Sequence, residues 1–279
     1  MVERPEMRPA QGAGRTPDGT AFALCGPERA PVVVLIHGLG LNRACWQWLE
    51  PELATGFRVL SYDILGHGGS APPPPAPELG TLSDQLARLL DRLGLDRAAI
   101  VGFSLGGMIA RRFAQDHPER VTALGILHSP HRRTDEARAA IAARVDQSRA
   151  EGPRATVEAA LVRWFTDDFR AANPAMMDLV RGWVLANDPG IYPSIYRILA
   201  EGVDEIVAPE PPLTAPALVM TGDEDHGNGP AMTRAIAAEI PGAQALILPG
   251  LRHMALAERP EAVNRPLIAF LRRHLEHQT

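Results

Sequence analysis

An unbroken apolar run, Pro31-Val-Val-Val-Leu-Ile36, leads straight into His37-Gly38-Leu39-Gly40. A β-branched run of that length, closed by glycine, is how a strand reads when both of its faces are buried. Such strands sit in parallel sheets, where each crossover connection lays a helix on the sheet. The same signature recurs along the chain. Strands are expected at 57–62, 98–103, 121–128, 217–221 and 245–248, with an edge strand at 20–25. Helix-period segments fall between them, at 82–93, 105–117, 230–240 and 260–275. Gly94 and Pro118 supply two of the stops. This alternation predicts an α/β, doubly wound, mostly parallel sheet.

One stretch departs from the alternation. Residues 131–212 carry helical periodicity without a convincing strand, contain Trp164, Phe165, Trp183, Tyr192 and Tyr196, and end in the proline-rich Pro209-Glu-Pro-Pro212. They are expected to form a helical cap inserted late in the core. The core itself is then 1–130 together with 213–279, with residues 1–15 flexible. An apolar content of 46% in 279 residues supports a large core. The net charge of −5 gives no electrostatic reason to expect nucleic acid. The 28 basic side chains are all arginine, which removes lysine-based chemistry such as Schiff bases. Cys25 and Cys45 make neither a disulfide framework nor a metal site. No signal-peptide stretch opens the chain and no apolar run approaches ~20 residues, so a cytoplasmic protein outside the membrane is expected.

Four motifs carry chemistry. Val101-Gly102-Phe103-Ser104-Leu105-Gly106-Gly107 follows one expected strand and opens one expected helix. In that context a serine between small residues sits on a tight turn, with its hydroxyl pushed out of the sheet. The helix start beside it directs N–H groups toward developing negative charge. The glycine turn His37–Gly40 brings the N–H of Leu39 to pair with that of Leu105 as an oxyanion hole. An acidic loop, Gly222-Asp223-Glu224-Asp225, follows the strand at 217–221, and spacing alone leaves its three carboxylates open. Pro249-Gly-Leu-Arg252-His253 follows the last strand and supplies a base. The order Ser104, acid, His253 is that of a serine nucleophile with its orienting acid and histidine on a parallel sheet.

Taken with Tyr62-Asp-Ile-Leu-Gly66-His67-Gly-Gly-Ser70 and the downstream Glu258-Arg-Pro-Glu261, these motifs make the chain resemble the α/β-hydrolase family over nearly its whole length. The resemblance implies the α/β-hydrolase fold and selects Asp225, the last residue of a Gly-x-x-Asp pattern, as the acid. It also exposes a departure, since Arg252 stands before the histidine where the family has Gly or Ala. Within the cap, Arg163-Trp-Phe-Thr-Asp-Asp-Phe-Arg170 and Asn187-Asp-Pro-Gly-Ile-Tyr192 are similar to 3-oxoadipate enol-lactonases. Leu39-Gly-Leu-Asn42 with Trp46 is similar to pimeloyl-ester carboxylesterases. Together they imply a small ester or lactone, including one that bears a carboxylate, hydrolysed by a monomer or homodimer without metal or organic cofactor.

On this reading Ser104, Asp225 and His253 are catalytic, and Trp46, His131, Arg132, Arg133 and Trp164 are candidates to contact substrate. The same three catalytic groups would equally serve a carbon–carbon bond hydrolase, an amidase or a perhydrolase. A non-catalytic ligand-binding member is the more distant alternative, because it would ordinarily have lost one of the three.

Overall fold

The computed structural model describes residues 12–275. Eight strands form one sheet: β1 (Gly12–Arg15), β2 (Ala21–Cys25), β3 (Val32–Ile36), β4 (Arg58–Tyr62), β5 (Ala98–Phe103), β6 (Val121–Leu127), β7 (Ala217–Gly222) and β8 (Gln244–Leu248). Their order across the sheet is β1-β2-β4-β3-β5-β6-β7-β8. β3 to β8 pair in parallel, while β1 and β2 run antiparallel at one end.

The helices are α1 (Glu50–Leu53), α2 (Leu79–Arg92), α3 (Leu105–Asp116), α4 (Asp135–Glu151), α5 (Val157–Trp164), α6 (Asp167–Ala172), α7 (Pro174–Leu185), α8 (Tyr192–Glu201), α9 (Pro230–Ala238), α10 (Ala255–Glu258) and α11 (Pro260–Leu275). Successive side chains of a strand point to opposite faces, and β3 shows the consequence. Val34 and Ile36 join an apolar cluster with Leu82 and Leu86 of α2 and Met108 of α3, whereas Val33 and Leu35 join Leu53 of α1 and Leu267 and Leu271 of α11. Both faces of the sheet are therefore covered, which is why its central strands read as continuous apolar runs.

Two expectations at the N-terminal end need correction. Residues 20–25 were expected at the sheet edge, but β1 lies outside β2 and pairs with it from Gly12↔Leu24 to Arg15↔Ala21. Residues 12–15, expected to be flexible, are thus a strand. All four are exposed, so hydrophobic patterning could not reveal them. The expectation for residues 1–11 lies outside the described residues.

The connection from β6 to β7 runs through α4 to α8 and contains no strand. Ile141 and Val145 of α4, with Ile195 and Ile198 of α8, extend one apolar cluster, while Leu161 of α5 and Val180 of α7 extend the other. β3 pairs with β4 on one side and β5 on the other, so the chain reverses its direction of travel across the sheet there. In open α/β sheets ligands bind at such a reversal, beyond the C-terminal strand ends.

Candidate active site

At that edge the ends of β3, β5, β6, β7 and β8 present, in turn, the His37–Gly40 turn, Ser104, His128, Asp225 and His253. Ser104 caps α3 with φ 57° and ψ −114°, a left-handed conformation that strains a residue with a Cβ. Its N–H donates to the Leu127 carbonyl at 2.8 Å, which ties the turn to the end of β6. The backbone here is too close for side chains. A Cβ on Gly102 would lie 2.0 Å from the Gly106 carbonyl oxygen, and one on Gly106 would lie 2.1 Å from that of Ile36. Ser104 is only 5% exposed, and its hydroxyl has no hydrogen-bond partner among the described residues. Leu105 opens α3, so its N–H has no carbonyl within the helix to bond.

The turn holding Leu39 packs directly on the serine, since a Cβ on Gly38 would come within 3.2 Å of the Ser104 Cβ. Two buried histidines fix it. His37 Nδ1 donates to the Gly38 carbonyl at 2.8 Å, and its Nε2 accepts from the Ile64 N–H at 3.0 Å. His67 Nε2 accepts the Gly40 N–H at 2.9 Å. These contacts require neutral rings. Burial pushes His37 below the usual histidine range against the pull of Asp63, and burial with neighbouring His37 lowers His67 to about 3. Asn187, at the end of the α7 segment, donates to the Gly40 carbonyl at 3.0 Å and anchors the turn from above.

Among the three acidic residues after β7, only Asp225 reaches His253. His253 Nδ1 lies 2.7 Å from Asp225 Oδ2, and His128 Nδ1 lies 2.9 Å from the same oxygen. The other oxygen, Oδ1, accepts the N–H groups of Gly227 at 3.1 Å and Asn228 at 3.0 Å. Burial alone would raise this carboxyl. The facing His253 and the hydrogen bonds from both rings outweigh it and hold Asp225 well below the usual carboxylate range. Burial keeps His128 below the usual histidine range despite its bond to Asp225. Asp223 instead accepts from the Gly250 N–H at 2.7 Å and shapes the turn before the base. One donor atom from each of His128, Asp225 and His253 falls within a 4.8 Å cluster. Both Nδ1 atoms are committed to the carboxylate, so the cluster presents hydrogen-bonded pairs rather than free metal ligands.

Arg252 now has a role. Its Nη1 donates to the carbonyls of Val162 at 3.0 Å and Phe165 at 2.9 Å and pairs with Asp167 at 2.9 Å. The His253 loop is thereby pinned to the α5–α6 turn. The Met254 N–H adds a bond to the Trp164 carbonyl at 2.8 Å.

A cavity of about 100 Å³ joins Ser104, His253, Asp225 and Leu39. Of the substrate-contact candidates, Arg133 and Trp164 line it, and the Trp164 ring stands 6.1 Å from that of His253. Three candidates lie elsewhere. Trp46 is fully buried in the core with Leu49 and Leu53, because its turn after β3 packs under the sheet rather than over the serine. His131 is held by Glu239 at 2.8 Å, and Arg132 faces solvent. Arg144 of α4, Arg163 of α5 and the paired rings of Tyr192 and Tyr196 also line the cavity, although none was among the substrate-contact candidates. The adjacency of Arg163 to Trp164 was the available signal.

A parallel sheet that gathers a strained serine, a buried carboxylate–imidazole pair and a glycine turn at one edge defines the class of α/β hydrolases. Residues 31–260 match the alpha/beta hydrolase fold family, and the chain belongs to it. It is 27% identical over 239 residues to an (E)-2-((N-methylformamido)methylene)succinate hydrolase of Acinetobacter baylyi, covering 86% of this chain and 89% of that one. It is 26% identical to 3-oxoadipate enol-lactonase 2 of the same organism, over 90% and 92% of the two chains. The solved enol-lactonase of Burkholderia xenovorans superposes with a TM-score of 0.83 at 28% identity, over 90% of this chain and 96% of that one. These three relatives are hydrolases, two of them enol-lactonases. No helix of the described residues is long and apolar enough to cross a membrane.

Proposed function

We propose that this chain is a serine hydrolase that cleaves a small carboxylic ester or lactone through an acyl-serine intermediate. The observation that carries the reading is the 2.7 Å bond from His253 Nδ1 to Asp225, in a cavity shared with the Ser104 hydroxyl at the head of α3. Asp225 holds the Nδ1–H tautomer, which leaves Nε2 as the base. Nε2 takes the Ser104 proton as Oγ bonds to the substrate carbonyl carbon, and the carbonyl electron pair moves onto oxygen. The N–H groups of Leu39 and Leu105 receive that oxyanion. Collapse breaks the bond to the leaving alkoxide, which takes the proton from His253. Water, deprotonated by the same nitrogen, then releases the acid and restores Ser104. A serine–histidine bond of this kind commonly tightens on substrate binding.

The enol-lactonase names among the relatives support an ester or lactone. The formamidomethylene-succinate relative supports a second reading, cleavage of a carbon–nitrogen bond by the same groups. On either reading the helical segment 131–212 acts as a cap over the serine. Ser104→Ala is expected to lower kcat/KM for p-nitrophenyl acetate by at least 10³-fold and to abolish labelling by a fluorophosphonate. Wild-type turnover by the variant would remove the assignment.

A further inference from the structure

Many arginines among the described residues pair with carboxylates. Arg138 pairs with Asp204, Arg181 with Glu158 and Asp178, and Arg112 with Asp116 and Glu205. Arg133, Arg144 and Arg163 have no carboxylate partner among the described residues, and all three line the cavity above Ser104. Arg133 donates to the Ala200 carbonyl at 3.3 Å, and Arg144 Nε donates to the Tyr196 hydroxyl at 3.0 Å. Arg163 has no hydrogen-bond or ion-pair partner among the described residues. Among the described residues the only carboxylate lining the cavity is Asp225, and both of its oxygens are already occupied.

Three guanidinium groups around about 100 Å³ repel one another. Burial, then the charges of Arg144 and Arg138, lower Arg133 to about 10, and burial with Arg144 lowers Arg163 as well. A site that holds three such cations together is matched by anions, and guanidinium forks suit carboxylates. One carboxylate would leave two positive charges uncompensated.

We infer that Arg133, Arg144 and Arg163 form a recognition site for a dianionic substrate, one that carries two carboxylates besides the carbonyl attacked by Ser104. The inference rests on the hydrolase reading for the position of that carbonyl, but the anion site can be measured apart from it. Esters of p-nitrophenol with acetate, with succinate and with tricarballylate present zero, one and two free carboxylates. Wild-type kcat/KM is expected to rise by about 10-fold or more with each carboxylate, as charge-assisted hydrogen bonds allow. The dianionic-to-neutral ratio should collapse by at least 10-fold in Arg163→Ala and fall less in Arg163→Lys.

Calorimetry with tricarballylate and with acetate on Ser104→Ala reads binding without chemistry. Tighter tricarballylate binding that weakens with salt and is lost in Arg163→Ala supports the site, even if no ester is turned over, in which case the hydrolase reading alone fails. Equal kcat/KM across the three esters, with tricarballylate binding no tighter than acetate, overturns the anion site and leaves the hydrolase reading standing.

Discussion

Asp225→Asn changes one atom in the most constrained part of the site, and the surroundings dictate its outcome. Oδ1 faces two backbone N–H groups, from Gly227 and Asn228, which can only donate. The asparagine must therefore turn its carbonyl toward them and its amide NH₂ toward His253 and His128. Both imidazoles then have to accept at Nδ1, where they now lie 2.7 and 2.9 Å from a carboxylate oxygen. For His253 that moves the proton to Nε2, the nitrogen that has to take the Ser104 proton. The fold tolerates the change because the hydrogen bonds re-form with reversed polarity, at a stability cost of about 1–3 kcal/mol. The chemistry does not, and kcat should fall on the order of 10⁴-fold, equivalent to about 5.5 kcal/mol of transition-state stabilisation. Steady-state hydrolysis of p-nitrophenyl acetate, guanidinium unfolding and the ¹⁵N shifts of His253 measure the three parts separately. Asp225→Asn with kcat within 10-fold of wild type, or with His253 still protonated at Nδ1, would refute the reasoning.

Two further outcomes follow from the buried polar groups. His37, His67 and His128 are buried with folded-state pKa values below their unfolded values. A lowered histidine contributes stability that is present above about pH 6.5 and lost as pH falls below it, because only the unfolded chain takes the proton. His67, lowered to about 3, stays neutral across this range, so at ~1.4 kcal/mol per unit that ring alone should cut the unfolding free energy by more than about 1 kcal/mol between pH 7 and pH 5.5, with His37 and His128 acting in the same direction, read by guanidinium melts. A drop below about 1 kcal/mol would show that these rings charge in the folded state. Arg252→Ala removes two carbonyl bonds and the Asp167 pair that pin the base loop. It should lower kcat by roughly 10-fold and stability by about 1–3 kcal/mol, and unaltered kcat would mean that the loop is held without it.

The sheet was legible because β3 and β5 to β7 lie between two helical layers, and burial on both faces leaves an apolar run that no turn or surface segment produces. β1 was not legible, since it joins by backbone pairing alone with its four residues exposed. The positions of Ser104, Asp225 and His253 were readable because each follows its own strand. The choice among Asp223, Glu224 and Asp225 rested on resemblance, for it depends on how the turn after Gly222 folds back beneath His253. His128, at the end of β6, donates to the same carboxylate oxygen as His253, a relation between positions 97 residues apart that sequence patterning does not reveal. Arg144 and Arg163 escaped because the cap segments carry many arginines, and only the packing of α4, α5 and α8 separates those that face inward from those paired at the surface.

The position of Arg163 has a mechanical consequence. It lies in a segment braced from both sides: Arg252 bonds to Val162, Phe165 and Asp167, the Met254 N–H bonds to the Trp164 carbonyl, and Glu258 accepts from the N–H and hydroxyl of Thr166. Every one of these partners lies within five residues of His253. The arginine that would bind substrate and the histidine that would take the serine proton are thus carried on one rigid unit. Displacement of either segment moves the other. Binding energy gathered at Arg163 is therefore delivered to the placement of the carbonyl relative to the base, and it can favour the transition state rather than only the bound ground state. This arrangement also accounts for the arginine at position 252, where the family has a small residue. A glycine or alanine there would leave the His253 loop tied to the α5–α6 segment only through the Met254 N–H and the Glu258 carboxylate.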